Sequence, residues 1–169
     1  MRLFVLIIIG VIVAVMVYVR LAPADVDAVH VQAAPRMPDN YPSKGGFIAV
    51  REMTAPPEDV LRALASIALR NDRTKTLAGS VDEGIITFVS RSKLFGFPDY
   101  TTVSIIPAGT VSRQDGSADG QSQLGALLMI DGHLRYGQSD MGVNKARIER
   151  WLSALGPLTV AIDQDTPST

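Results

Sequence analysis

The chain has 169 residues, 47% of them hydrophobic and 20% charged, and it contains no cysteine. The missing cysteine excludes a disulfide framework, a thiolate metal site, a cysteine nucleophile and a lipidated-cysteine anchor. Of the 16 basic residues, Arg2 and Arg20 flank an apolar segment, and the other 14 stand against 17 acidic residues. The basic footprint of a nucleic-acid-binding protein is therefore missing.

The first element is an uncharged apolar segment from Leu3 to Val19. As a helix its 17 residues would extend roughly 26 Å, close to the ~30 Å hydrocarbon core of a bilayer. We predict that residues 1–22 form a transmembrane anchor whose residues 3–19 contact lipid. A cleaved signal peptide is the alternative, because Ala22-Pro23-Ala24 has the small residues that a signal peptidase requires.

Charge gives the orientation of this anchor. One arginine lies on each side of it, and the free amino terminus adds a positive charge on the short side. Positive charge favours the cytoplasmic side. We predict a single-pass protein with its domain across the membrane from the cytoplasm, which in a bacterium is the periplasmic side of the inner membrane.

Residues 23–46 contain four prolines among small and polar residues, which disfavours helices and central strands. We predict an extended tether. His30 lies within it, and we expect its side chain to be solvated or loosely packed rather than a ligand of a metal.

The folded domain is predicted to span residues 47–156. Residues 47–53 alternate between apolar and polar types, as expected of a strand. A helix follows, with Thr54 as its cap, and it continues to about Asn71 because apolar residues recur at helical spacing.

The next segments are predicted to be strands and the loops that connect them. Residues 85–91 and 100–106 are rich in β-branched residues and are joined by a loop at 92–99. Residues 107–123 are polar and form a hairpin tip, and 124–136 return as a strand.

Alternation along the strand at 124–136 predicts two different faces, provided that Gly132 marks no bulge. Leu128 and Ile130 lie on the apolar face. His133 and Arg135 lie on the polar one.

The last helix is predicted at 144–155, with Asn144 as its cap and Gly156-Pro157 as its end. Residues 157–169 form a tail that includes one possible short strand at 158–162. The order β-α-β-β-β-α predicts an α+β domain with a mainly antiparallel sheet and two packed helices.

Several of these segments resemble the bacterial and plastid domain-of-unknown-function family fourteen-ninety-nine (DUF1499), in its alphaproteobacterial membrane-anchored form. The resemblance covers residues 47–155. It is carried by Ser90-Arg91-Ser92, Phe97-Pro98-Asp99, the decapeptide at 135–144, Arg147 and Trp151-Leu152. Members often open with a Pro-Asn-Cys-like stretch, whereas this chain has Asp39-Asn-Tyr-Pro42, so no role of that cysteine carries over. The resemblance implies no particular activity.

Six polar residues are expected to meet where the strands ending at 91 and 136 approach the last helix: Arg91, Asp99, Arg135, Ser139, Asp140 and Asn144. In a structural interpretation Asp140 pairs with Arg91 or Arg135. In a binding interpretation the arginines and the helix start form an anion site for a carboxylate, phosphate or lipid headgroup. In an enzymatic interpretation Ser139 or Asp140 works with His133 as base, although no hydrolase, metal-binding or phosphate-binding motif accompanies them.

The sequence favours a membrane-anchored domain that binds, or supports a membrane protein complex, without catalysis, cofactor or metal. The alternative is a small-molecule or lipid-headgroup binding domain with an activity of its own. A concave pocket lined by Arg91 and Arg135 would favour a ligand, and a closed Arg–Asp cluster would favour a scaffold.

Overall fold

The computed structural model describes residues 1–92, 96–114 and 121–162. Three predicted segments therefore lie partly outside the described residues: the loop at 92–99, the hairpin tip at 107–123 and the C-terminal tail. In chain order the elements are α1 (Arg2–Leu21), α2 (Val26–Val29), β1 (Asn40–Ser43), β2 (Gly46–Glu52), α3 (Pro57–Leu69), β3 (Thr74–Ser80), β4 (Ile85–Arg91), β5 (Pro98–Ile106), β6 (Ser112–Gln114), β7 (Gln121–Gln123), β8 (Leu127–Leu134), α4 (Val143–Leu155) and a 3₁₀ turn (Gly156–Leu158).

Helix α1 is 20 residues long and exposes nearly all of its side chains. Within the described chain it is the one helix that is long and apolar enough to cross a membrane. A membrane anchor and a signal sequence both have these properties.

Six strands form one sheet in the spatial order β1-β2-β8-β5-β4-β3, and every neighbouring pair is antiparallel. Strands β6 and β7 form a separate hairpin within the predicted polar tip. The predicted α+β class with an antiparallel sheet is confirmed.

The sequence pattern does not reveal β1 and β3, which are the two edges of the sheet. An edge strand is paired on one side only and tolerates proline and polar residues, as in Asn-Tyr-Pro-Ser of β1. The possible strand at 158–162 is not formed. Thr159 makes an isolated bridge to Met53 after the 3₁₀ turn.

Helices α3 and α4 cover one face of the sheet and enclose the main core. Leu61 and Leu64 of α3 are fully buried, and the ring of Phe88 meets Trp151 edge-on at 5.7 Å. Strand β8 pairs without a register shift, so Gly132 marks no bulge and the predicted alternation is confirmed. Leu128 and Ile130 face this core.

The opposite face of the sheet is covered by the segment that was predicted to be an extended tether. Met37 and Tyr41 pack against a second apolar cluster that includes Val50 and Met129. The segment lies against the sheet because this face carries apolar residues, and burying them is favourable.

His30 belongs to this covering segment and is hydrogen-bonded, contrary to prediction. Its Nδ1 lies 2.9 Å from the Thr87 hydroxyl, which in turn lies 2.8 Å from the Thr102 hydroxyl. Thr102 also hydrogen-bonds the Val29 carbonyl oxygen at 2.9 Å. Threonines on β4 and β5 thus hold the covering segment in place.

The predicted cap of α3 is also wrong. The helix begins at Pro57, and Pro56 is its N-cap. Thr54 instead donates its hydroxyl hydrogen to the carbonyl oxygen of Pro157. Two prolines shift the helix start past Thr54, because proline suits the first turn but the residue before it avoids helical angles.

Candidate functional site

The candidate residues lie at one end of the sheet, where β4 and β8 finish and β3 and β5 begin. Arg91 is paired with Pro98, and Asp99 with Leu134, so three adjacent strands end side by side. Helix α4 starts at the same place, as predicted. We call this region the arginine end. The six predicted residues divide there into groups with different partners.

Asp99 forms a buried cluster with a residue outside the predicted six, Arg147 of α4. Their side chains meet at 3.1 Å and are 17% and 10% exposed. The second guanidinium nitrogen of Arg147 donates to Asn144 Oδ1 at 2.7 Å and to the Thr101 hydroxyl at 3.3 Å. Burial raises the pKa of the Asp99 carboxyl, and the hydrogen bond and charge of Arg147 oppose that rise.

The sequence does carry a signal for Arg147. It lies four residues before Trp151, on the same buried stripe of α4 as Ile148 and Leu155. A charged residue on an apolar stripe needs a buried partner, because an unpaired buried charge is costly. Asp99 is that partner.

The N-cap residue of α4 is Gly142 and not Asn144, and Asp140, two residues earlier, supplies the capping hydrogen bonds. The helix follows Gly142, which has φ +79°, and the Asp140 carboxylate accepts hydrogen bonds from the amides of Gly142 and Asn144, each at 3.0 Å. Burial acts to raise the pKa of Asp140, but these hydrogen bonds outweigh it and lower the pKa. Among the ion pairs of the described residues, none joins Asp140 to Arg91 or Arg135 as the structural interpretation expects.

Asn144 lies inside the first turn of α4 and is fully buried, so it is a member of the Arg147 cluster rather than a cap. Ser139 is exposed, and its hydroxyl accepts a hydrogen bond from the Met141 amide at 3.3 Å. Its role is to shape the turn before the helix.

Arg135 points to the other face of the sheet, so it does not join the group. It donates to the Tyr100 hydroxyl at 3.0 Å and to the carbonyl oxygens of Ala22 and Pro23 at 3.1 and 2.6 Å. The reason is the alternation of β8: Leu134 faces α4, and the next residue faces away. Arg135 therefore clamps the chain that leaves α1.

His133 shares this second face. Its ring lies 3.8 Å from the Asp131 carboxylate and packs near Tyr100. In the described chain neither Ser139 nor Asp140 is a hydrogen-bond partner of His133.

Arg91 lines a cavity of about 190 Å³ on the α4 side of the arginine end. Three more arginines, Arg73, Arg147 and Arg150, share this wall with Asp99. Of the four, only Arg147 forms an ion pair within the described residues. We call this space the arginine cavity. Adjoining depressions contain Arg70 and Lys75 together with one carboxylate, that of Asp72, so basic side chains outnumber acidic ones beyond the cavity as well.

The chemistry of this wall is that of an anion site. Guanidinium groups donate paired hydrogen bonds that match the oxygens of phosphates and carboxylates. The volume lies below the ~300 Å³ at which drug-sized ligand sites begin, so one small anionic group fits. No cluster of three or more metal-ligating side chains occurs in the part of the chain that the structure describes.

A larger cavity, of about 560 Å³, lies elsewhere and contains Arg51. That guanidinium already donates to the carbonyl oxygens of Asp39 and Val50 and to the Asn40 side chain. Burial lowers its pKa, opposed by the nearby charges of Asp39 and Glu149. We regard this arginine as structural, because its donors are used internally and the described residues that line this cavity add a carboxylate, Glu149, but no second cation.

Residues 19–155 match the family described as "Protein of unknown function (DUF1499)". The crystal structure of protein MLL2253 from Mesorhizobium loti is similar over 67% of this chain and 95% of that one, with 12% identity and a TM-score of 0.44. No curated protein matches the chain. The family match includes the segment that covers the sheet.

Proposed function

The chain belongs to the DUF1499 family of proteins of unknown function, and we propose that it is a membrane-anchored binding domain, not an enzyme, whose arginine cavity takes a small anionic group. One observation carries this proposal. Four arginines surround a cavity of about 190 Å³, and three of them have no carboxylate partner in the described chain.

Of the four arginines, Arg147 is buried and fixed before any ligand arrives, and the exposed Arg91 is held by one hydrogen bond. Arg147 is held by Asp99, Thr101 and Asn144, and Arg91 donates to the Gly96 carbonyl oxygen at 3.1 Å. Fixed donors bind more tightly, because less conformational entropy is lost on binding. Arg73 and Arg150 are exposed and can close on the ligand from the solvent side.

An anion would also relieve unfavourable charge. Four guanidinium groups repel one another across the cavity, and the single carboxylate of Asp99 offsets only one of them. A ligand with one or two negative charges lowers this repulsion and gains charge-assisted hydrogen bonds.

The arrangement gives less support to catalysis. The predicted base His133 is on the opposite face from the arginine cavity, and the Asp140 carboxylate is occupied with helix amides. A general base must reach the proton it removes. Binding needs only the arginines.

Arginine NMR signals of the full chain in a neutral detergent test this proposal. Adding inorganic phosphate should shift the Nε–Hε signals of Arg73, Arg91, Arg147 and Arg150. Arg73→Gln and Arg91→Gln should each weaken binding about five- to tenfold, because each removes a charged hydrogen bond. Arg62→Gln is the matched control, since its guanidinium pairs with Asp59 at 2.7 Å on another surface. Phosphate that shifts Arg62 as strongly as the four would refute the site, and so would no shift at all.

We also propose that α1 stays attached and that the domain is periplasmic. The support is the charge distribution around α1 and its length of 20 residues. Alkaline phosphatase fused after Thr169 should be active in whole cells, and the fusion should sediment with membranes. An inactive, well-expressed fusion would reverse the orientation, and a soluble active one would indicate a cleaved signal peptide.

A further inference from the structure

Basic side chains predominate at the arginine end of the sheet, although Asp72 and Asp99 also lie there. The arginines of the cavity lie where α3 and β4 end and where α4 begins. The opposite end contains the start of α3, with Glu58 and Asp59, and the β3–β4 turn, with Asp82 and Glu83. Although the whole domain has a mild net negative charge, its arginine end forms a positive pole.

The membrane helix meets the domain at this positive pole. Arg135, directly after β8, donates to the carbonyl oxygens of Ala22 and Pro23, the first residues after α1. This clamp leaves no free linker between α1 and the sheet. The arginine end is consequently held at the place where the chain leaves the bilayer.

A second contact lies closer still to the arginine cavity. The guanidinium of Arg20, in the last turn of α1, packs against Gly96, where an added Cβ would lie 2.5 Å from its Nε. The carbonyl oxygen of the same Gly96 accepts the hydrogen bond from Arg91. One glycine thus connects the end of the membrane helix to the wall of the cavity.

We infer that the anionic group in the arginine cavity is the phosphate of an anionic phospholipid in the leaflet where α1 ends. This inference rests on the proposed anion site and names the source of the anion. Arginines held at a bilayer surface meet lipid phosphates at high local concentration, and the surface potential of anionic lipids attracts each of them. A phosphate on a glycerol backbone also matches the small volume, because only the headgroup needs to enter.

Lipid and free phosphate share the same chemistry, so the test uses both. The full chain in a neutral detergent is titrated with phosphatidylglycerol, with phosphatidylcholine and with inorganic phosphate, and bound lipid is counted by native mass spectrometry. Phosphatidylglycerol should bind at least tenfold more tightly than phosphatidylcholine. Its binding should weaken about fivefold for each arginine removed, which is about 25-fold for the double variant Arg73→Gln/Arg91→Gln.

Lipid held by α1 alone would not respond to the double variant, and Arg62→Gln again serves as the matched control. Equal binding of phosphatidylglycerol to the wild type and the double variant overturns the inference. If phosphate still shifts the arginine signals in that case, the anion site stands and only its lipid source is wrong. If phosphate shifts none of them, both the site and the inference fail.

Discussion

The ion pair of Asp99 and Arg147 should be energetically coupled, although the shorter pair of Asp59 and Arg62 should not. The first pair meets at 3.1 Å with side chains 17% and 10% exposed, and the second at 2.7 Å with 60% and 63% exposed. Exposed pairs contribute about 0–1 kcal/mol, because water screens them, whereas breaking a buried pair costs about 3–5 kcal/mol. Burial, and not distance, decides the outcome.

The expected loss of unfolding free energy in each variant depends on which buried groups are left without a partner. Asp99→Asn keeps a neutral acceptor for Arg147 and removes a carboxylate whose charge is disfavoured by burial, so it should cost only about 1 kcal/mol or less. Arg147→Met removes three hydrogen bonds and leaves the buried Asn144 oxygen without its donor, so it should cost about 3–4 kcal/mol. The double variant leaves no unpaired charge and should be more stable than the sum by about 2 kcal/mol.

A double-mutant cycle in urea, followed by the near-ultraviolet signal of Trp151, measures this coupling in the full chain in detergent. The cycle Asp59→Asn/Arg62→Met is the control and should give about 0.5 kcal/mol or less. A coupling energy for Asp99 and Arg147 no larger than that of the control would refute the reasoning.

The pH dependence gives a second check of the same pair. Burial raises the folded-state pKa of Asp99 above its unfolded value, so its ionisation reduces stability as pH rises through that interval. Arg147→Met removes the opposing influence and should raise the pKa further. The stability lost in Arg147→Met should therefore shrink at acidic pH, when Asp99 is protonated in both states.

Three other substitutions test the supporting contacts. Arg135→Ala removes the clamp on residues 22–23 and should lower the melting temperature and speed proteolysis between α1 and β1; unchanged cleavage would show that the clamp is dispensable. Asp140→Asn keeps one acceptor oxygen and loses the other, since Oδ1 and Oδ2 accept from different amides, and should cost about 1 kcal/mol at neutral pH. Because its folded pKa is lowered, that cost should fade as pH drops through the folded-state pKa of Asp140; a cost independent of pH would count against the cap. Gly132→Ala places a Cβ 2.9 Å from Ile148 Cδ1, the end of a fully buried side chain, and should cost about 1–3 kcal/mol by overpacking, whereas wild-type stability would mean that the Ile148 side chain or α4 shifts to make room.

The elements that bury a regular stripe were predictable from the sequence. The helical spacing of Leu61, Leu64 and Ala68 predicts α3, and the period of two along β8 assigns Leu128 and Ile130 to the core. The edge strands β1 and β3 were not predictable, because their pairing depends on backbone hydrogen bonds more than on apolar side chains.

The sequence predicts where the candidate site lies but not which of its residues contact one another. The sequence correctly predicts that the last residues of β4 and β8 and the first residues of β5 lie near the start of α4. It wrongly puts Arg135 beside Asp99, although the same alternation that assigns Leu134 to one face assigns Arg135 to the other. Asp99 instead pairs with Arg147, because Arg147 lies on the buried face of α4.

Net charge is a poor guide to the partner of this domain, because it contains no information about position. A domain with more acidic than basic residues is not expected at an anionic surface, and by that measure binding to lipid phosphate would be excluded. Screening changes this conclusion, since at physiological ionic strength a charge acts over about 8 Å. The acidic residues at the far end of the sheet, such as Asp82 and Glu83, are then too distant to oppose Arg73 and Arg91. A lipid headgroup bound as we infer would meet the arginine end, where Asp72 and Asp99 are outnumbered by basic side chains. That end also contacts the chain that leaves α1, through Arg135.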